Sequence, residues 1–293
     1  ASCGFHQIYS NSLQNEKEAY SSGINAVPML NPLNTEMGFL RTSLIPGLIK
    51  AADFNVKNGA RSFRLYELGN VHHLLGEGLS NMNEFQYMSG LIFGEKNESS
   101  VHNDPSFESI YDIKGLLSFI FFNRLNMNVR YYDGKNYAFD QSQTIFVNNQ
   151  NIGQYGRFSE FFLRDFGYSF PRPFYGFEIN FNFIKKMLGK NKIFKKINLY
   201  PTIERDLNFV LKEKQPVGEI LEAIRRLGKK LIIEANPKNI YYDPEAIGNG
   251  LKSVTFSLVF QHSSKTLEES DVNPIIDEIV TFAEKKFYAK LRM

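Results

Sequence analysis

The sequence predicts an α+β fold built as two bodies, and three observations carry that reading. Runs that alternate apolar and polar residues, such as Leu207, Phe209, Leu211 and Val254, Phe256, Leu258, Phe260, sit among stretches with helical stripes. The 293 residues are long for one ordinary domain and comfortable for two, each burying its own core. A composition break falls near Asn198, where the basic stretch ending at Lys196 gives way to Tyr200-Pro201, and proline pushes the residue before it towards extended geometry. The boundary this predicts gives a first domain over 1–197 and a second over 198–293.

In the second domain, Arg205 to Lys212 alternates as a half-buried strand. Pro216 then opens a helix with Val217, Ile220, Leu221, Ile224 and Leu227 on one stripe, stopped by Gly228. Leu231 to Glu234 and Asn239 to Asp243 are extended around Pro237, which predicts a strand with an irregular middle. Ser253 to Gln261 alternates cleanly, Asp271 to Tyr288 is a long amphipathic helix, and Lys290 to Arg292 is a short last strand. The order β-α-β-β-α-β is the ferredoxin-like arrangement, with helices on one face of the sheet and the other face free.

The first domain reads as a mixed body. Pro46 to Asn58 is helical, and Ser62 to Leu68 and Tyr87 to Phe93 are strands of one antiparallel sheet. Ile110 to Asn123 is a strongly apolar helix, and Phe174 to Phe183 is an aromatic, strand-like run. Gln143 to Val147 and Asn151 to Gly156 form a hairpin across Asn148-Asn149-Gln150. Gly76 to Gly78 and Glu95 to Ser100 read as exposed loops.

Composition excludes several classes. Hydrophobic residues at 43 %, charged residues at 22 % and a mean hydropathy of −0.30 predict a folded chain rather than a disordered or fibrous one. No apolar run approaches the roughly 20 residues that span a membrane, and no signal-peptide pattern opens the chain. The lone Cys3 cannot close an intrachain disulfide or build a thiolate metal site, which predicts a reducing, cytoplasmic setting. Lys and Arg number 34 against 31 Asp and Glu, a balance of +3 too small to announce nucleic acid by bulk charge. The chain starts without Met on an apolar stretch that lacks a helix cap, so it reads as a fragment of something longer.

Candidate chemistry is sparse. His72 and His73 are adjacent, so on a strand they point to opposite faces and cannot share a metal ion. Asp112 at the start of an apolar helix reads as a cap rather than a catalytic acid. Lys185, Lys186, Lys190, Lys192, Lys195 and Lys196 read as a solvated face, with phosphate contact as the alternative. No P-loop, dinucleotide fingerprint, zinc-protease motif or serine elbow occurs.

Several spaced motifs together carry a resemblance. They are Asn31-Pro32-Leu33-Asn34-Thr35-Glu36-Met37, Leu40-Arg41-Thr42-Ser43-Leu44-Ile45-Pro46-Gly47-Leu48, Asn55, Arg64-Leu65-Tyr66-Glu67-Leu68-Gly69 and Asp112-Ile113-Lys114-Gly115. Further on stand Tyr200-Pro201, Arg205-Asp206-Leu207, Gly250-Leu251-Lys252-Ser253 and Lys265-Thr266-Leu267. In this order, over nearly the whole chain, they resemble the C-terminal part of the bacterial phenylalanyl-tRNA synthetase beta subunit. The resemblance implies a class II synthetase-like antiparallel sheet domain followed by a ferredoxin-fold anticodon-binding domain. It also implies an alpha-subunit partner in an (αβ)₂ heterotetramer, tRNA(Phe) as the bound RNA, and ATP with Mg²⁺ serving the complex. The family's editing site and metal ligands are expected upstream of the matching stretch, so no cofactor or metal is expected on this chain.

The resemblance implies further that the first domain is non-catalytic and serves as partner-binding scaffold. A working class II site needs Arg two positions before Glu on one strand, whereas Arg64 lies three before Glu67, on the opposite face. The strand expected to carry a second Arg to the ATP γ-phosphate, Tyr175-Gly176-Phe177-Glu178-Ile179-Asn180, has none. Phe119-Ile120-Phe121-Phe122 and Phe161-Phe162-Leu163 are candidates for an apolar partner surface, with ordinary core packing the alternative.

For the second domain the resemblance marks Arg205, Tyr242, Lys252, Ser253 and Thr266 as RNA-contacting residues on the anticodon face. From Asn198 onward there are 14 Lys and Arg and 14 Asp and Glu, so binding must rest on local groups rather than a basic field. Where the family has Asp two residues before Tyr242, this chain has Ile240. Arg205 has a plain structural alternative, pairing with Asp206 or another carboxylate. Strand alternation leaves only one of Tyr241 and Tyr242 free to stack. Two other readings fit the same residues: a self-sufficient ligase of this fold, and a general RNA-binding module with a dimerisation body.

Overall fold

The computed structural model describes residues 3–97, 101, 104–125, 127, 129–187, 197–228 and 231–292. The chain divides into two compact units, residues 1–191 and 192–293. Both are α+β and their sheets are antiparallel, apart from one parallel edge pair in the first.

The first unit is organised on a sheet of β1 (His6–Gln7), β2 (Ser62–Leu74), β3 (Met82–Asn97), β4 (Val129–Gly134), β5 (Phe139–Val147), β6 (Gln150–Phe158) and β7 (Tyr175–Asn180). Its spatial order is β1-β2-β3-β7-β6-β5-β4, and Ser106–Phe107 adds to β3. β2 and β3 form a long hairpin paired from Ser62↔Gly94 to Leu74↔Met82. Gly94 has φ +90°, and a Cβ there would lie 1.9 Å from the Arg61 carbonyl oxygen, so only glycine fits. The β5–β6 turn uses Asn148 and Asn149 at φ 51° and 64°, the left-handed pair that matches the twist of a two-residue hairpin.

Helices cover both faces of this sheet. α1 (Ile45–Lys57) lays Ile45, Leu48, Ile49 and Ala52 on Leu65, Leu91, Phe93, Phe158 and Phe174. α2 (Ile110–Ser118) buries Ile113 and Leu117 on the other face, against Ile92, Ile145, Tyr155 and Phe177. Asp112 closes the α2 N-terminus by accepting from the Ser109 N–H at 2.9 Å and its hydroxyl at 2.6 Å, the capping role read from the sequence. The expected single helix to Asn123 is instead an α-helix to Ser118 followed by a π-helical stretch, Phe119–Arg124. That widening buries Phe121 completely and turns Phe122 outward. α3 (Glu160–Asp165) similarly buries Phe162 and Leu163 and exposes Phe161.

Two expectations are corrected here. Glu95 to Asn97 belong to β3 rather than a loop, because Glu95 and Asn97 find partners in Phe107 and Ser106; residues 98–100 lie outside the described residues. The run from Phe174 is a strand only to Asn180, after which α4 (Phe181–Met187) takes over. Of the basic stretch, Lys185 and Lys186 are exposed on α4, while Lys190, Lys192, Lys195 and Lys196 lie outside the described residues.

The second unit has the predicted β-α-β-β-α-β order: β8 (Ile203–Lys212), α5 (Val217–Leu227), β9 (Ile232–Tyr241), β10 (Leu251–Phe260), α6 (Glu269–Phe287) and β11 (Lys290–Leu291). The sheet order is β9-β10-β8-β11. The irregular middle of β9 consists of register shifts between Ile232 and Glu234 and between Pro237 and Asn239. One core forms where Leu207, Phe209, Leu211, Val254, Phe256, Leu258 and Phe260 meet Ile220 and Ile224 of α5 and Val272, Ile279 and Ala283 of α6. Both helices lie on that face, and the opposite face carries the alternate residues.

Candidate functional site

Pairing fixes which side chains share the uncovered face of the second unit. Phe209 pairs with Val254 on the core side, so their neighbours Asn208, Val210, Ser253 and Thr255 face the other way. Tyr241 pairs with Ser253 and Asn239 with Thr255, which brings Tyr241 and Asn239 onto the same face. The Ser253 hydroxyl donates to Asn208 Oδ1 at 2.6 Å, and Lys238 pairs with Asp206 at 2.7 Å. The Tyr241 hydroxyl donates to Asp243 Oδ2 at 2.5 Å. That bond raises the tyrosine's pKa and lowers that of Asp243, whose carboxylate also caps the short helix Pro244–Ile247. The face is polar, with hydroxyls and amides able to read base edges and an exposed ring able to stack.

The five residues expected to touch RNA do not form one cluster. Ser253 lies on the open face as expected. Arg205 does not: it follows the parity of Leu207 and Phe209, and its guanidinium pairs with Glu269 at the start of α6 at 2.6 Å. It therefore meets a carboxylate, the structural alternative read from the sequence, in Glu269 rather than Asp206, which is held by Lys238. Lys252 shares the parity of Val254 and Phe256, is 7 % exposed, and is held below the usual lysine range by burial. Thr266 is exposed in the loop before α6, beyond the Phe260 end of β10, while Ser253 and Tyr242 lie near the other end. Leu258, opposite Arg205, and Lys252 are six residues apart on β10, about 20 Å at strand rise.

The tyrosine expectation is also corrected. Neither ring is buried: Tyr241 is 45 % exposed on the open face, and Tyr242 is 57 % exposed just past the strand end. Alternation fails as a guide there because β9 ends at Tyr241. Asn208 was missed, although its parity opposite Leu207 and Phe209 was visible in the sequence.

In the first unit, Arg64 and Glu67 face opposite sides of β2, as their spacing predicts. Arg64 pairs with Glu108 at 2.6 Å. Glu67 is buried and takes the Arg41 guanidinium at 2.7 Å and the Ser10 hydroxyl at 2.6 Å. Glu178 of β7 accepts from the Ser43 hydroxyl at 2.9 Å and the Leu44 N–H at 2.8 Å, joining the sheet to the entry of α1. His73 is buried, with Nε2 3.1 Å from the Thr42 carbonyl oxygen, while His72 is 4.0 Å from Glu84. Burial lowers the pKa of both imidazoles. Among the described residues no group of three or more His, Cys, Asp or Glu is placed to hold a metal ion.

These features define an α+β body followed by a ferredoxin-like βαββαβ unit whose sheet has one face free of helices. Residues 198–292 match the ferredoxin-fold anticodon binding domain, and residues 1–181 match the phenylalanyl tRNA synthetase beta chain CLM domain. The chain belongs to that beta-chain family. It is 30 % identical over 297 aligned positions to the phenylalanine–tRNA ligase beta subunit of Coxiella burnetii, covering 99 % of this chain and 36 % of that protein. The beta subunits of Thermotoga maritima and Carboxydothermus hydrogenoformans are 29 % and 28 % identical, each over 91 % of this chain and 33 % of theirs. The chain spans about a third of the length of the curated relatives it matches.

Proposed function

We propose that the chain is the C-terminal part of a phenylalanine–tRNA ligase beta subunit. Its first unit, a class II synthetase-like body without chemistry of its own, scaffolds the catalytic alpha subunit in an (αβ)₂ heterotetramer. Its second unit holds the anticodon of tRNA(Phe), and the assembled enzyme joins phenylalanine to tRNA with ATP and Mg²⁺ in the cytoplasm. The observation that carries this reading is the polar open sheet face bearing Tyr241, Asn208 and Ser253 in a chain of the beta-chain family. Support for a non-catalytic first unit comes from two arginines on or beside β2: Arg64 and Arg41 are committed to Glu108 and Glu67, which leaves neither for a phosphate. Phe122 and Phe161, 64 % and 70 % exposed, are among the exposed aromatic residues a partner could cover, and no helix among the described residues is long and apolar enough to cross a membrane.

The test is tRNA(Phe) binding by the complex with the alpha subunit. Tyr241→Ala is expected to weaken binding about tenfold, the scale of one lost base–ring stack, and to leave phenylalanine activation unchanged. Unchanged binding would remove the open face from the RNA interface. Equal binding of unrelated RNAs would favour a general RNA-binding module instead.

A further inference from the structure

The first unit contains a cavity of about 490 Å³ beside the N-terminus of α1, within the range that holds small ligands. Its charged lining groups are Glu178 and Lys135, the latter exposed. Hydroxyls and amides of Ser43, Tyr87, Gln154 and Asn180 surround the carboxylate, and Ile24, Ile45, Ile152 and Phe139 supply apolar wall.

Glu178 is under-used where it stands. Oε1 takes the Leu44 N–H at 2.8 Å and the Ser43 hydroxyl at 2.9 Å, Oε2 lies 3.1 Å from the same hydroxyl, and the Ile45 N–H also acts on the carboxylate, so these donors leave about one of its roughly four acceptor sites to spare. Among the described residues it makes no ion pair, because the nearby Arg41 is spent on Glu67. Burial pushes its carboxyl up to about 7. Above about pH 7, where it is ionised, a carboxylate without a paired cation in a confined, polar-rimmed space disfavours phosphates and carboxylates and favours a cation carrying hydrogen-bond donors.

We propose that this cavity binds a small primary ammonium with an apolar body, an aliphatic amine or a free amino acid, its ammonium on Glu178 and its body against Ile24, Ile45 and Ile152. The cavity belongs to the first unit and the open sheet face to the second. It stands whether or not the ligase reading does.

The experiment is calorimetric titration of the 293-residue chain with 3-methylbutan-1-amine, L-leucine and 4-methylpentanoate, which share the apolar body and differ in charge. Both ammonium compounds are expected to bind and 4-methylpentanoate is not. Tighter binding of the amine identifies an amine site. Tighter binding of leucine identifies an amino-acid site, with Lys135 meeting the carboxylate. Glu178→Gln is expected to weaken binding at least about tenfold. Because Glu178 also holds the entry of α1, Ser22→Trp is the second variant. Ser22 is an exposed lining residue whose hydroxyl lies 2.7 Å from that of Thr42 and which makes no hydrogen bond to Glu178, so a ring there is expected to occupy the cavity and abolish binding while far-ultraviolet circular dichroism stays unchanged. No saturable heat with either ammonium compound at millimolar concentration overturns the proposal. So does equal binding of 4-methylpentanoate, or unaltered binding by a folded Ser22→Trp protein.

Discussion

Arg205 and Glu269 join the first strand of the second unit to the start of its long helix, with Nη2 2.6 Å from Oε1. This contact ties Arg205 to the helix-covered side. The pair is partly open to solvent, where such bridges contribute between nothing and about 1 kcal/mol. We expect Arg205→Ala and Glu269→Ala each to destabilise the fold by less than about 1 kcal/mol in denaturant titrations. The slope of log tRNA affinity against log salt should stay at its wild-type value in both. A slope flattened by about 0.7 in Arg205→Ala alone would return the residue to the phosphate contacts.

Lys252 should behave differently from a phosphate-binding lysine. It is almost fully covered, and burial lowers its pKa while Glu213 acts in the opposite direction. A cation held in that way gains by losing its charge. Lys252→Met is therefore expected to leave the salt slope of tRNA binding unchanged and to hold or raise thermal stability. A lower melting temperature together with a flatter salt slope would contradict this.

The Arg41–Glu67 pair is buried on both sides, with side chains 5 % and 2 % exposed. Arg41→Ala strands a buried carboxylate and should cost about 3–5 kcal/mol. The paired replacement Arg41→Met with Glu67→Leu should cost much less, because it removes both charges together. Gly69→Ala should also destabilise, since its Cβ would fall 2.2 Å from Arg41 Nη2. Equilibrium unfolding of the four proteins checks the order.

Glu178 gives the first unit a pH dependence with a definite sign. Its carboxyl is raised from 4.5 to about 7, chiefly by burial, so the folded state holds the proton more tightly than the unfolded chain. The stability it contributes is fully present below about pH 4.5 and is lost as pH rises through about 7. His72 and His73, lowered from 6.5 by burial, act oppositely: their contribution is present above pH 6.5 and lost as pH falls below it. The clean observable is the stability of wild type minus that of Glu178→Gln, which should fall as pH rises from 4.5 to 7, because the glutamine does not titrate. A difference that is flat across this window would show that Glu178 does not titrate there.

Local chemistry determined most of the second unit's elements. The alternation of Leu207, Phe209, Leu211 and of Val254, Phe256, Leu258, Phe260, with helical stripes between, specifies βαββαβ because burial on one sheet face forces period two. The same alternation placed Arg64 and Glu67 on opposite faces, and spacing alone made Asp112 a cap. What only the tertiary structure decided is which partner each polar side chain meets. Arg205 found Glu269, 64 residues away, and Asp206 found Lys238 across the sheet. Tyr241 and Tyr242 are both exposed because the strand ends between them, and strand ends are set by pairing rather than by sequence period. The cavity at Glu178 was illegible for the same reason. Most of its wall comes from separated stretches around Ser22, Ser43, Ala138 and Ile152, with Tyr87 and Phe162 added from elsewhere, and only long-range packing brings them to one carboxylate.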